Sequence, residues 1–125
     1  MVSSLIDMGE ITDITKEESI ATFIAGIVRS VRFGFASSHG KANMMCYNYM
    51  EKNGAFSRNE EGKWVIDFEK AAECINSWAN LIIETQATGN VEFAKAYSAE
   101  NASIGEALAA DIEKINGAGI PRDIV

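Results

Sequence analysis

The sequence contains few of the residues that interrupt or cross-link a small fold. Its 125 residues include one proline, Pro121, and two cysteines, Cys46 and Cys74. A single proline near the end leaves long helices uninterrupted, and two cysteines are too few for the disulfide framework of small secreted domains. No apolar run reaches the roughly 18 residues of a membrane span. We therefore expect long helices and two buried thiols, without a transmembrane segment.

Histidine is as scarce as proline, with His39 alone. A chain with one histidine cannot contain the two-histidine helix of many zinc peptidases. The spacing of His39, Cys46 and Cys74 matches no known zinc-ligand pattern. There is also no glycine-rich phosphate loop and no serine in a nucleophile elbow. We therefore predict no metal or cofactor site within this chain.

Basic residues are fewer than acidic ones. The chain has 18 acidic and 11 basic residues, a formal net charge of −7. An acidic surface is repelled by nucleic acid and by anionic membranes, so we expect neither as a partner. The length suits one domain, residues 1–125. The start has no basic region and no cleavage pattern of a signal peptide.

The remaining sequence is rich in helical periodicity. Thr15 and Glu18 form a capping box ahead of apolar residues that recur every three or four positions. A turn at 59–62 between two short apolar runs predicts a hairpin. The fold class is thus mainly α, a compact bundle of about five helices with one small β-hairpin. The predicted helices cover 16–34, 39–53, 68–88, 91–100 and 104–116, with one or two further turns at 2–8 and strands at 55–58 and 63–66.

Two helices have apolar patterns that predict extensive burial. The stripe of the 68–88 helix runs to Ile82 and Ile83, and Trp78 lies beside it. The 39–53 helix is apolar nearly all round, with Met45 on one face and Met44 on another, so it should be covered on several sides. Such an amount of apolar surface is large for an isolated domain of this size.

The segment that opens the 39–53 helix has the residue types of a binding site. Ser37 or Ser38 can cap the helix, which places His39 in its first turn. A histidine there can donate a hydrogen bond to a substrate carbonyl or a developing oxyanion. Asn43 lies one turn further on the same face. Gly40 allows another backbone or a ligand to approach closely. The simpler alternative is that His39 only helps to cap its helix.

This segment also carries a family resemblance. The run SVRFGFASSHGKANMMCYNYMEKNGAF resembles the late part of the dipeptidyl peptidase III metallopeptidases, particularly their bacterial branch. The family has a helix that opens with His-x-x-Ala-(Arg or Asn), here residues 39–43. The likeness continues through GKWVIDFEKAAECINSWANLIIETQATGNVEFAKAY and to the closing Gly119-Ile120-Pro121-Arg122-Asp123-Ile124. It covers nearly the whole chain from about residue 10.

The resemblance implies a two-lobed, cytoplasmic zinc exopeptidase that removes dipeptides from peptide N-termini. The family holds zinc with a His-Glu-x-x-Gly-His helix and a glutamate of a second motif, and neither motif occurs here. This chain would be the C-terminal helical subdomain of a longer parent, without hydrolytic activity of its own. Some bacterial relatives also carry a Nudix-type domain at the front.

The resemblance also implies the site residues and partners. His39 would bind the peptide substrate or stabilise the transition state, with Asn43 and Lys41 as further substrate-binding residues. Asn43 stands where many members have arginine, which leaves its role open. The remainder of the peptidase chain would cover the apolar 39–53 helix, and the isolated chain should self-associate. The alternatives are a stand-alone helical interaction module, and a bundle that binds a small ligand between helices 16–34 and 39–53.

Overall fold

The computed structural model describes residues 2–122. Over these residues the chain is mainly α with one antiparallel hairpin, which confirms the predicted fold class. No helix among them is long and apolar enough to cross a membrane. The predicted ending at Asp123-Ile124 lies outside the described residues. In chain order the elements are α1 Val2–Asp7, α2 Lys16–Arg32, α3 Ser38–Lys52, β1 Phe56–Arg58, β2 Trp64–Ile66, α4 Phe68–Thr88, α5 Val91–Asn101 and α6 Glu106–Gly117.

The helix ends follow the local sequence signals closely. The Thr15 hydroxyl accepts from the Glu18 amide, and the Glu18 carboxylate accepts from the Thr15 amide, which completes the capping box of α2. The Asp67 carboxylate accepts from the Lys70 amide at the start of α4. Gly89 ends α4 with a φ of 61°, a left-handed conformation that favours glycine. These caps satisfy backbone donors and acceptors that the helices leave unpaired.

The core is formed where α2 and α3 pack together. The apolar residues that recur every three or four positions along α2 are buried except for Phe23, which is 43% exposed. Side chains of α3 fill the seam against this stripe, and Met44 and Met50 have no exposed surface. The seam is thus packed with apolar side chains, contrary to the idea of a ligand pocket between these two helices. The buried residues are Ile20, Ile24, Ile27, Val28, Val31, Met44, Cys46, Tyr47, Met50, Ala55, Phe56, Ala71, Cys74 and Leu108.

The hairpin packs on the helices through side chains of both strands. Trp64 and Ile66 of β2 are partly buried against the core. Phe56 of β1 is only 3% exposed, and its ring centroid lies 4.9 Å from that of Tyr47 on α3. Phe56 pairs with Ile66 across the hairpin. The short sheet is therefore stabilised by packing on the helices, including the aromatic contact of Phe56 to α3.

Arg58 joins the hairpin to two helices. Its guanidinium donates to Asp111 on α6 at 3.0 Å, to Glu51 on α3 at 2.9 Å and to the Tyr47 hydroxyl at 3.1 Å. The Arg58 side chain is 21% exposed and that of Asp111 19%, so water screens this pair less than a surface pair. This network holds α6 against the hairpin.

The far half of α4 departs from its predicted burial. Ile82 is 39% exposed and Ile83 is 61% exposed, although both belong to the apolar stripe of the helix. The next helix, α5, has no buried residue at all. Beyond Trp78, α4 therefore extends past the core, together with α5, and presents the exposed Ile82 and Ile83.

Candidate functional site

The candidate site begins at the connector between α2 and α3. Gly40 packs directly on this connector, because a Cβ atom at position 40 would lie 2.5 Å from the Gly34 carbonyl oxygen and 2.7 Å from the Phe35 Cα. Both atoms belong to the backbone and cannot move aside cheaply. The predicted close approach at Gly40 is thus made by a neighbouring backbone, and it fixes the first turn of α3 against the connector.

Ser37 provides the cap of α3. Its hydroxyl accepts from the Gly40 amide at 3.1 Å, and its carbonyl accepts from the Lys41 amide at 2.9 Å. His39 is the second residue of the helix and is exposed. Its imidazole makes no hydrogen bond with any residue between 2 and 122. Since Ser37 does the capping, the alternative reading of His39 as a cap has no support in this geometry.

Asn43 and Lys41 have different environments, although both lie close to His39. The Asn43 amide nitrogen donates to the Ser30 hydroxyl of α2 at 2.6 Å, and the contact is partly buried. Lys41 is exposed, and within residues 2–122 its ammonium has no ion pair. The structure thus leaves His39 and Lys41 open to solvent and directs Asn43 inward. Sequence reasoning missed Ser30, a polar residue between buried Ile27 and Val31, where a partner should be sought.

The two cysteines are free and lie in the core. Burial, with a smaller contribution from Cys74, raises the pKa of the Cys46 thiol to about 11. Burial, with repulsion from Glu73, likewise raises the pKa of Cys74. Both thiols therefore stay protonated near neutral pH and are poor nucleophiles and metal ligands. Across residues 2–122, no group of three or more His, Cys, Asp or Glu side chains could hold a metal ion.

An apolar groove lies further along the same helix, between α3, α4 and α5. Its volume is about 290 Å³, and its walls include Ala42 and Met45, one to two turns from His39. Trp78 of α4 and Tyr97 of α5 stack across it at 5.9 Å between ring centroids. A second open groove, of about 620 Å³, lies between α1, α2 and α4 and is lined by Ile14, Phe23 and Ile75 among others. His39 lines neither groove.

Two solved structures that resemble this fold are both dipeptidyl peptidases III. The fold matches dipeptidyl-peptidase III from Corallococcus sp. strain EGB with a TM-score of 0.90 and 26% identity, over 99% of this chain and 23% of that chain. It matches dipeptidyl peptidase III from Caldithrix abyssi with a TM-score of 0.84 and 28% identity, over 96% of this chain and 23% of that chain.

A curated relative extends the comparison. Nudix hydrolase 3 of Arabidopsis thaliana is 29% identical over 120 residues, which are 96% of this chain and 16% of that protein. No family model matches the sequence. The chain thus spans about a quarter or less of each protein it resembles. Its fold is that of a segment of dipeptidyl peptidase III, which confirms the resemblance read from the sequence.

Proposed function

We propose that this chain is the C-terminal helical part of a dipeptidyl peptidase III-like zinc exopeptidase, in which it presents His39 to the peptide substrate. The observation that carries the proposal is the likeness over 99% of the chain at a TM-score of 0.90. The exposed imidazole on a tightly packed helix start agrees with such a role, because a substrate-binding group needs a rigid support.

Zinc does not fit the residues of this chain. The one histidine is exposed, the two thiols are buried with raised pKa values, and no metal-binding group forms in residues 2–122. In this proposal the metal and the water that it activates are held by the rest of the peptidase. The contribution of this chain is restricted to binding and orientation.

His39 and Lys41 have chemistry that suits a peptide. An imidazole N–H can donate to a substrate carbonyl, where the bond strengthens as negative charge develops on the oxygen. The Lys41 ammonium can pair with a carboxylate of the peptide. Both side chains are exposed on the first turn of α3. A bound substrate would therefore lie across the α3 N-terminus, and specificity for acidic side chains would depend on Lys41.

The rest of the peptidase chain is the partner that we assign to the uncovered apolar surface. The similar structures are about four times longer than this chain. The α3–α5 groove is lined mainly by apolar side chains, including Phe93, which is 40% exposed. Without that cover, the isolated chain should self-associate through this surface. Light scattering at ~100 µM tests this, and a purely monomeric species would contradict it.

The whole reading frame that contains this sequence provides the functional test. Its product should release dipeptides from a chromogenic dipeptidyl naphthylamide. His39→Ala should lower kcat/KM by about 100-fold, the size of effect seen when one transition-state hydrogen-bond donor is removed. Zinc content, measured by atomic absorption, should not change. Lys52→Ala, at the opposite end of α3, is the control and should retain full activity. Activity of His39→Ala within twofold of the wild type would overturn the proposal.

The second candidate is a helical interaction module without catalysis, favoured by the same uncovered apolar surface on α4 and α5. It predicts a reading frame without a His-Glu-x-x-Gly-His motif and a product that binds zinc no better than this chain. Such a result would remove the peptidase function and leave binding through the groove.

A further inference from the structure

We infer that Asn43 and Ser30 form a positioning pair for His39, so that Asn43 acts through His39 and not on the substrate. The inference rests on the proposed function, because it takes His39 as the residue that meets the peptide. It assigns a role to Ser30, and it changes the role expected for Asn43 from the family resemblance.

The Asn43 side chain is directed towards α2. Its amide nitrogen lies 2.6 Å from the Ser30 hydroxyl in a partly buried contact between α3 and α2. A half-buried donor that already has a partner loses that hydrogen bond if it turns to a ligand. Asn43 is therefore held by α2, while His39, one turn earlier, is open to solvent.

Several contacts fix the first turns of α3 in place. Gly40 lies against the backbone of Gly34 and Phe35, and the Ser37 hydroxyl accepts from the Gly40 amide. These contacts fix the turn immediately beside His39, yet both hold it to the connector and not to another helix. The Asn43–Ser30 hydrogen bond adds a polar link to α2 just before Met44, whose side chain is fully buried in the core. Removing it leaves the helix packed on α2 from Met44 onwards but loosens the preceding turn, which carries His39.

The cost of such a tilt is large for a group that acts in the transition state. A displacement of about 1 Å can reduce the rate by roughly 100-fold, because the reacting groups lose alignment. Asn43→Ala and Ser30→Ala should each lower kcat by about tenfold, with little change in KM, since the hydrogen bond from His39 is strongest in the transition state. Ser30→Thr, which keeps the hydroxyl, should retain most of the activity.

The experiment is a double-mutant cycle in the product of the whole reading frame. Residues that act through one hydrogen bond are not additive, so the Ser30→Ala/Asn43→Ala double variant should match either single variant. In a His39→Ala background, Asn43→Ala should have no further effect on kcat, which a role in substrate contact or in general stability would not predict.

A matched control comes from the same helix. The Asn48 amide nitrogen donates to the carbonyls of Asn101 and Ser103 at 2.7 and 2.9 Å, which is also a link from α3 to another part of the chain. Asn48 lies nine positions after His39, about 13 Å along a helix. Asn48→Ala should lower the thermal midpoint about as much as Asn43→Ala but leave kcat within twofold. Circular dichroism confirms that each variant folds.

The possible outcomes distinguish failure of the positioning role from failure of the proposed peptidase function. If Asn43→Ala loses activity and Ser30→Ala does not, Asn43 contacts the substrate and the inference is wrong. If neither variant loses activity while His39→Ala does, the pair has no positioning role and the peptidase proposal stands. If His39→Ala retains activity, the proposed function itself fails. An Asn48→Ala loss equal to that of Asn43→Ala would reduce the effect to stability alone and also overturn the inference.

Discussion

The inner helix α3 and the outer helix α5 are both rich in apolar residues, yet their surroundings differ completely. Five residues of α3 are buried, whereas none of α5 is. α3 lies between α2, the hairpin and α4, but α5 rests only on one side of the bundle. Helical stability in a protein comes mainly from the packing of an apolar face. We therefore expect the bundle to consist of a stable inner region, formed by α2, α3 and the hairpin, and a weaker outer region, formed by the second half of α4 and α5.

The largest effect should come from removing a side chain at the centre of the inner region. Met50 has no exposed surface, so Met50→Ala should lower the free energy of unfolding by about 2–5 kcal/mol through lost burial and a cavity. Ile83 belongs to the outer region and is 61% exposed. Ile83→Ala should therefore change the free energy of unfolding by less than about 0.5 kcal/mol. Urea unfolding of the two variants measures the difference. Similar losses would abolish the distinction between the regions.

The next largest effect should come from the link between the hairpin, α3 and α6. Arg58→Ala leaves Asp111 and the Tyr47 hydroxyl without their shared donor, at an expected cost of about 2 kcal/mol. The Lys63–Glu61 pair is the contrast, since its side chains are 75% and 70% exposed. Lys63→Ala should have an effect near the limit of measurement. Thermal unfolding provides the comparison, and a small effect of Arg58→Ala would mean that α6 is held mainly by its other contacts, such as the packing of Leu108 and Ile112 on the core.

A pH dependence should also be specific to the inner region. Burial and repulsion from Glu51, partly offset by Arg58, raise the pKa of Tyr47 from the ordinary 10.0 to about 12. The unfolded chain therefore loses this proton at lower pH than the folded one. The stabilisation is complete below pH 10 and declines as the pH rises towards 12. Tyr47→Phe removes this contribution, so by pH 11 the variant should have lost about 1 kcal/mol less than the wild type.

Urea midpoints between pH 8 and 11 check this expectation. The Cys46 thiol, whose pKa is raised from 9.0 to about 11, contributes in the same direction in both proteins and so cancels in the comparison. Parallel curves for the wild type and Tyr47→Phe would contradict the assigned burial of the phenol.

The smallest effect concerns the junction of α4 and α5. Gly89 has a φ of 61°, and nothing lies within 4 Å of the place where a Cβ would stand. Gly89→Ala should therefore cost about 1 kcal/mol from backbone strain alone. Gly26→Ala is the matched control, because that position also has open space but lies within α2 without a positive φ. It should stabilise the protein by about 0.5–1 kcal/mol. The same sign for both variants would refute this argument.

Local sequence signals were sufficient to predict most element boundaries. The α4 helix begins after Asp67 and ends before Gly89, as its cap and its glycine indicate. α2 ends at Arg32, two residues earlier than predicted, because Phe33 already caps the helix and Gly34 turns the chain with a φ of 98°. Caps and turns depend on a few adjacent residues, so a single sequence contains the information that defines them.

Burial and side-chain partners were less predictable. Periodicity indicates which face of α4 is apolar, but it does not indicate whether another element covers Ile82 and Ile83. Asp111 is 53 positions from its partner Arg58, and Ser30 is 13 positions from its partner Asn43. The residues next to Arg58 and Asn43 in the sequence therefore do not indicate these partners. His39 and Lys41 could be placed at an open helix start from the serine cap alone, whereas the inward direction of Asn43 required the packing of α3 on α2.

The two tryptophans fall one in each region. Trp64 belongs to the hairpin, and its ring centroid lies 5.8 Å from the Arg58 Cζ. Trp78 lines the apolar groove, and its ring centroid lies 5.2 Å from that of Tyr49. No other tryptophan occurs in the sequence. The protein therefore has a separate intrinsic fluorophore for its inner and outer parts. With the other tryptophan replaced by phenylalanine, emission from Trp78 reports the solvent exposure of the groove, and emission from Trp64 reports the packing of the hairpin on the core.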